Sequence, residues 1–182
     1  MTPEMILDRV PRDAAETVEI GFSVPETYNA SSLLFDNLVQ GRADKIAVYS
    51  DTGNRTYGAL AEDSCRFGNG LLALGLERGD RVLLLMADTP AYPAAIFGAI
   101  RAGLVPILAN TLSTADLISF YVEDANAKIL IFDEEHADTV TALDASVLTS
   151  LTAISINGAG PSSVLEALNG TIWLAEQKAD LE

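Results

Sequence analysis

Two stretches decide the fold: Arg81-Val82-Leu83-Leu84-Leu85-Met86-Ala87 and, further on, Ile100-Arg101-Ala102-Gly103-Leu104-Val105-Pro106-Ile107. The first is apolar at consecutive positions, as suits a strand covered on both faces. The second reads as a helix end, a tight glycine exit and a new strand. Gly103 stands where a helix ends in a conformation that a side chain resists. Downstream the alternation continues. Strands are expected near 82–87, 105–109, 128–132 and 152–156, separated by helices near 91–102, 114–125 and 134–145. Regular strand–helix alternation predicts an α/β fold, a mostly parallel, doubly wound, Rossmann-like sheet with helices on both faces and right-handed crossovers.

Upstream, Lys45-Ile46-Ala47-Val48-Tyr49-Ser50 alternates, Asp51-Thr52-Gly53-Asn54 turns, and Arg55-Thr56-Tyr57 returns as a short strand. A long helix follows over about 58–74, with Leu60, Cys65, Phe67, Leu71 and Leu74 largely on one face and Gly75 as its left-handed exit. Gly68 and Gly70 each cost that helix up to about 1 kcal/mol relative to alanine, which implies that something approaches it closely. Asn29 is placed to cap a helix through Leu33, Leu34, Leu38 and Val39, with Gly41 ending it. Ser113 to Asp116 has capping-box spacing. Residues 1–28, with Pro3, Pro11 and Pro25, read as an arm with a short strand near Val18-Glu19-Ile20. Gly158-Ala159-Gly160-Pro161 breaks the pattern, and short helices are expected at 163–168 and 173–181.

The bulk composition excludes several function classes. A chain of 182 residues that is 49% hydrophobic buries a core of its own. Its formal net charge of −15 repels phosphate backbones and anionic lipid, so neither nucleic acid nor membrane is an expected partner. Cys65 is the only cysteine, which rules out an internal disulfide. The first residues lack a basic start followed by an apolar run, so the reading favours a cytoplasmic location.

The motifs that suggest chemistry are weak. Gly68-Asn69-Gly70 lies inside a helical pattern with no strand before it, and Gly158-Ala159-Gly160 lacks a third glycine. Asp133-Glu134-Glu135-His136 with Asp138 contains the single histidine. Acidic residues opening a helix are already favoured by its dipole, so no metal ligands are assigned. Cys65 among apolar neighbours reads as a small core residue. No catalytic residue is assigned within the chain.

Three stretches resemble the adenylate-forming superfamily, in order and spacing: Thr56-Tyr57-Gly58-Ala59-Leu60, Leu74-Gly75-Leu76-Glu77-Arg78-Gly79-Asp80-Arg81-Val82, and Ile100 to Ile107. Within it, Tyr28-Asn29-Ala30 and Ala109-Asn110-Thr111-Leu112-Ser113-Thr114-Ala115-Asp116 are most similar to benzoate-type aryl-CoA ligases. The resemblance implies the N-terminal subdomain of the acyl-CoA synthetase fold. Residues 1–28 would be an arm, 29–158 the α/β subdomain of the AMP-binding domain, and 159–182 a segment connecting toward the family's phosphate loop. That loop, rich in Gly, Ser and Thr and ending in lysine, is expected beyond Glu182, with the acid pocket and the catalytic lysine. The implied parent uses ATP, Mg²⁺ and CoA on a small carboxylic acid. The 182 residues alone are expected to hold no cofactor and to be inactive. Asn110 and Thr111 would form a loop facing CoA, with a plain strand-to-helix turn capped by Ser113 or Thr114 as the alternative. Expected partners are the parent's remaining subdomains and, through an uncovered apolar face, a second copy as a homodimer.

Two departures accompany the likeness. Ala59 replaces the family's glutamate, and acidic residues follow Phe132 where some members place arginines. Two other readings stay open: a non-catalytic α/β interaction module on the same scaffold, which a natural stop codon after Glu182 would favour, and an unrelated Rossmann-like or flavodoxin-like enzyme, which nucleotide or flavin binding would favour.

Overall fold

The computed structural model describes residues 28–51 and 53–157. The expected strand at 18–20, the break at 158–161 and the two short helices after it lie outside these residues. In chain order the elements are α1 (Ser32–Val39), β1 (Ile46–Val48), β2 (Arg55–Thr56), α2 (Tyr57–Ala73), β3 (Arg81–Leu85), α3 (Ala91–Arg101), β4 (Val105–Leu108), α4 (Ala115–Ala125), β5 (Ala127–Asp133), a 3₁₀ turn (Glu134–His136), α5 (Ala137–Thr141), α6 (Ala145–Ser150) and β6 (Ala153–Asn157). The antiparallel pair β1–β2 stands apart from a four-stranded sheet in the order β4-β3-β5-β6. All three pairings in that sheet are parallel. The parallel sheet expected from the apolar runs is therefore present, and α2 and α3 cover it as expected.

Residue alternation along β3 and β5 builds the two cores. Val82, Leu84 and Met86 with Ile129 and Ile131 face α2 and α3, where they meet Leu71, Ala95 and Ala99. Leu83, Leu85, Leu130 and Phe132 face the other way, onto Ile118 and Val122 of α4, Val140 of α5 and Val147 of α6. A third cluster seats α1 through Leu34 on Leu60 and Ala61 of α2 and Ala94 of α3. Asn29 does not act as a simple N-cap. Its Oδ1 accepts from the Ser31 amide at 2.9 Å and its Nδ2 donates to the Ile100 carbonyl at 3.0 Å, tying the start of α1 to the end of α3. Arg101 adds a cation over the Phe35 ring at 3.8 Å.

The helix ends follow local rules. Thr56 Oγ1 accepts from the Ala59 amide at 3.2 Å, the cap that its position demands. Gly103, at φ +80°, leaves α3, and its carbonyl accepts from the Gly79 amide at 2.9 Å, joining the two turns that enter β3 and β4. A Cβ at Gly103 would sit 3.2 Å from Arg78 Cγ. Arg81 reaches from the start of β3 to the last carbonyls of α4, with Nε to Ala125 at 2.7 Å and a terminal nitrogen to Asn126 at 3.1 Å. A fixed cation at a helix C-terminus complements its dipole.

Two expectations need correction. The helix expected over 134–145 is broken into a 3₁₀ turn and the short α5, and α6 begins only at Ala145. Thr141 Oγ1 bonds back to the Ala137 carbonyl at 2.5 Å, the competition with helix bonding that β-branched hydroxyl residues bring. The capping box at Ser113 and Asp116 does not form. Thr114 occupies the N-cap position of α4 with no side-chain bond, and Ser113 Oγ is buried without a hydrogen-bond partner.

β4 is one edge of the sheet. The Val105 amide donates to the Asp80 carbonyl and the Ala109 amide to the Leu84 carbonyl, both at 2.9 Å, so odd-numbered residues bond to β3 and Pro106 and Leu108 turn their backbone outward. Val105 and Leu108 are half exposed, and no charged residue stands between Arg101 and Asp116.

The close approach implied by glycine in α2 is the contact with α3. A Cβ at Gly68 would lie 2.8 Å from the Gly98 carbonyl oxygen, and one at Gly98 would lie 2.5 Å from the Ser64 carbonyl oxygen. Alanine at Gly98 gains up to about 1 kcal/mol of helix propensity. It loses more by forcing the helices apart, because overpacking costs about 1–3 kcal/mol. Gly98→Ala is expected to lower the midpoint of urea unfolding, and an unchanged midpoint would contradict the close contact.

Candidate functional site

The chain runs from β3 to β4 on one side and then crosses back over β3 to β5. Open α/β sheets present ligands outside the carboxyl ends of their strands, at the point where the direction of winding reverses. Here that point lies between β3 and β5, and it is filled from within. Asp133, the last residue of β5, accepts the Ala87 amide on Oδ2 at 2.6 Å. The carboxylate thus spans the crevice and bonds the backbone donor that an incoming anion would use.

The neighbouring position, outside β3 and β4, is open. A cleft of about 270 Å³ lies there, lined by Met86, Ala87, Asp88, Tyr92, Ala109, Asn110 and Thr111. Asn110 and Thr111 are thus brought together with the β3–α3 loop. Asn110 is also committed within its own turn. Its Oδ1 accepts from the Leu112 amide at 2.8 Å and its carbonyl from the Ser113 amide at 2.9 Å. The turn before α4 is therefore closed by Asn110, and Ser113 is drawn inward away from the helix end it was expected to cap.

Among the described residues the cleft is lined by no Lys or Arg. Asp88 and the Tyr92 phenol are its ionisable groups, and burial, followed by the Asp88 charge, raises the Tyr92 pKa above its ordinary value of 10.0. Such a lining hydrogen-bonds uncharged groups and opposes phosphate. Tyr92 was not singled out from sequence, and Asp133 was read there only as part of the acidic stretch Asp133-Glu134-Glu135-His136, with no ligand role. The usable signal for Asp133 was its place as the first polar residue after the apolar run Ile129-Leu130-Ile131-Phe132.

The remaining motif residues do not join this cleft. Gly68-Asn69-Gly70 lies within α2, and Cys65 is buried on the same helix. A smaller cleft of about 190 Å³ beside it is bordered by Ser64, Cys65, Gly68, Asn69, Leu72, Arg101 and Ala102. Glu134, Glu135 and His136 form the 3₁₀ turn, with His136 Nε2 3.5 Å from Glu135 Oε1. Among the described residues no group of three or more His, Cys, Asp or Glu is placed to hold a metal ion. None of their helices is long and apolar enough to cross a membrane.

A raised phenol pKa means that the folded state holds the Tyr92 proton more tightly than the unfolded chain does. The stability this contributes is present below pH 10 and is lost as pH rises through the folded pKa. Tyr92→Phe is therefore expected to flatten the alkaline fall in stability above pH 10, read by thermal unfolding across pH.

The profile of the AMP-binding enzyme family matches residues 35–177. The chain is 34% identical over 143 residues to a 4-hydroxybenzoate–CoA/benzoate–CoA ligase of Rhodopseudomonas palustris, covering 78% of this chain and 26% of that protein. It is 34% identical over 147 residues to a benzoate–CoA ligase of Thauera aromatica, covering 80% of this chain and 28% of the relative. Among solved structures, an anthranilate CoA ligase in complex with anthranoyl-AMP superposes with a TM-score of 0.78 at 26% identity, over 87% of this chain and 30% of that one. The chain spans roughly a quarter of the length of these curated relatives. The family match takes in every strand of the parallel sheet and both loops of the cleft, and the chain belongs to the AMP-binding enzymes, the adenylate-forming family that its three scaffold motifs resemble.

Proposed function

We propose that this chain is the first subdomain of an ATP-dependent, AMP-forming acid–CoA ligase acting on an aromatic carboxylate of the benzoate kind. The observation that carries the proposal is the 34% identity over 143 residues, 78% of this chain, to the benzoate-type ligase of Rhodopseudomonas palustris. In the proposed reaction the acid's carboxylate oxygen attacks the α-phosphorus of ATP and pyrophosphate leaves. The CoA sulfur then attacks the acyl carbonyl, and AMP leaves.

The described residues do not fit the phosphate part of that chemistry. The cleft offers no Lys or Arg, and Asp88 stands in it. Phosphoryl transfer needs fixed cations or N–H donors around the phosphates, so those groups belong to other parts of the ligase. The chain's own contribution is a rigid sheet edge and a hydrogen-bonding cleft lined by no Lys or Arg among the described residues. Thr111 and the neighbouring Asn110 suit an amide-bearing arm such as the pantetheine of CoA. The parent's further subdomains would cover the charge-free face around β4. Taken alone in the cytoplasm or in the test tube, the chain would pair there with a second copy.

Pyrophosphate exchange by the complete ligase should be fastest with benzoate or 4-hydroxybenzoate, and preference for a long-chain fatty acid would overturn the aromatic assignment. The 182-residue chain should neither adenylate benzoate nor bind ATP·Mg²⁺ in calorimetry. Saturable micromolar binding would remove the subdomain account. In the complete ligase Thr111→Ala should raise the KM for CoA severalfold while leaving pyrophosphate exchange unchanged. An unaltered KM would leave Thr111 a structural role only.

A further inference from the structure

We propose that Asp133 is the positioning residue of the strand-end cleft: its carboxylate closes the β3/β5 crevice and anchors the β3–α3 loop, so that Asp88 and Tyr92 face Asn110 and Thr111. The inference rests on the ligand-facing role given above to the β3/β4 cleft.

Three observations meet at this loop. First, Asp133 is the last residue of β5, in register with Asn157 of β6, so its backbone is held on the sheet. Its side chain bonds Ala87, which is 46 residues away in sequence and lies just past the end of β3. Second, the loop's own backbone bonds among the described residues are local. Among its backbone bonds are Thr89 amide to Ala87 carbonyl at 2.7 Å and Tyr92 amide to Thr89 carbonyl at 3.0 Å, both internal to the segment. Pro90 starts α3 with no side-chain cap, and Thr89 Oγ1, which could have capped it, is buried with no hydrogen-bond partner. Third, Ala87 and Asp88 form one wall of the cleft and the β4–α4 turn forms the other. That second wall is closed by Asn110, so the first is the one whose position depends on a distant group.

The bond from an amide to an ionised acceptor is of the stronger, charge-assisted kind. It also has an electrostatic consequence. A carboxylate already seated on the Ala87 amide denies that donor to phosphate, which leaves the winding-reversal crevice unavailable to anions and the adjoining hydrogen-bonding cleft as the open position.

The test is native-state amide exchange on the 182-residue chain, with the core amide of Leu84 as the reference for global stability. Exchange at Ala87 should quicken by at least an order of magnitude in Asp133→Ala and severalfold in Asp133→Asn, where a neutral acceptor holds it more weakly, with Leu84 little changed. The Tyr92 phenol should titrate closer to its ordinary range in Asp133→Ala as the loop loosens. Equal Ala87 exchange in wild type and variants overturns the proposal, as does a parallel rise at Leu84, which would mark a merely global role. Should Asp133→Ala fail to fold, Asp133→Asn alone decides by the same two amides. These readouts involve neither ATP nor CoA, so they fail or succeed independently of the ligase assignment. In the complete ligase, Asp133→Asn should raise the KM for CoA more than it lowers kcat, and an equal loss in both would also count against positioning.

Discussion

β3 is the constraint on which the rest depends. It is hydrogen-bonded on both sides, by β4 and β5, and Val82 to Leu85 are fully buried. A strand with two covered faces can carry only apolar side chains, each stabilising the fold by about 1.5–3 kcal/mol on burial. It also requires a helical layer on each face at once. One layer comes from α2 and α3, which can lie close together because Gly68 and Gly98 leave room for backbone against backbone. The other comes from α4 with the short helices α5 and α6. Removing either layer would expose half of the same strand.

The geometry that buries β3 also determines where chemistry can occur. Parallel strands bring their carboxyl ends, and the loops that follow, to one edge of the sheet. There the apolar demand ends abruptly and polar residues appear: Asp88, Asp133, Asn110 and Thr111. Two of them are spent on structure. Asp133 holds the loop after β3, and Asn110 closes the turn after β4. What remains for a ligand is a lining rich in hydrogen-bonding groups and poor in positive charge, in a chain with 26 acidic and 11 basic residues.

The sheet and its main helices were legible because each rests on a local rule. Continuous apolar runs gave the parallel strands, Thr56 capped α2 as its position required, and Gly41 and Gly75 leave their helices at φ +72° and +81°. Glycine in α2 correctly implied a close neighbour, although only the structure names Gly98 as that neighbour. Where local rules competed, sequence reading failed. Ser113 and Asp116 have capping spacing, but Asn110 closes a turn on Leu112 and Ser113, and Ser113 is buried. Residues 134–145 have acidic residues suited to a helix start, while Thr141 bonds back to the chain and the helix stops. Of the candidate site, Asn110 and Thr111 could be placed from their position after a strand. Tyr92 and Asp133 could not. Their roles arise from bonds and burial between segments far apart in sequence, and neither leaves a periodic trace.

Pro106 gives the exposed edge a particular polarity. With no N–H to offer, β4 shows a visitor the carbonyls of Pro106 and Leu108 but only the Leu108 amide between them. A neighbouring strand can therefore dock only in registers that tolerate a missing donor, and successive copies cannot extend the ladder without meeting the same gap. The apolar side chains favour coverage, while the backbone limits how it is achieved. The edge is thus a poor template for a growing fibril.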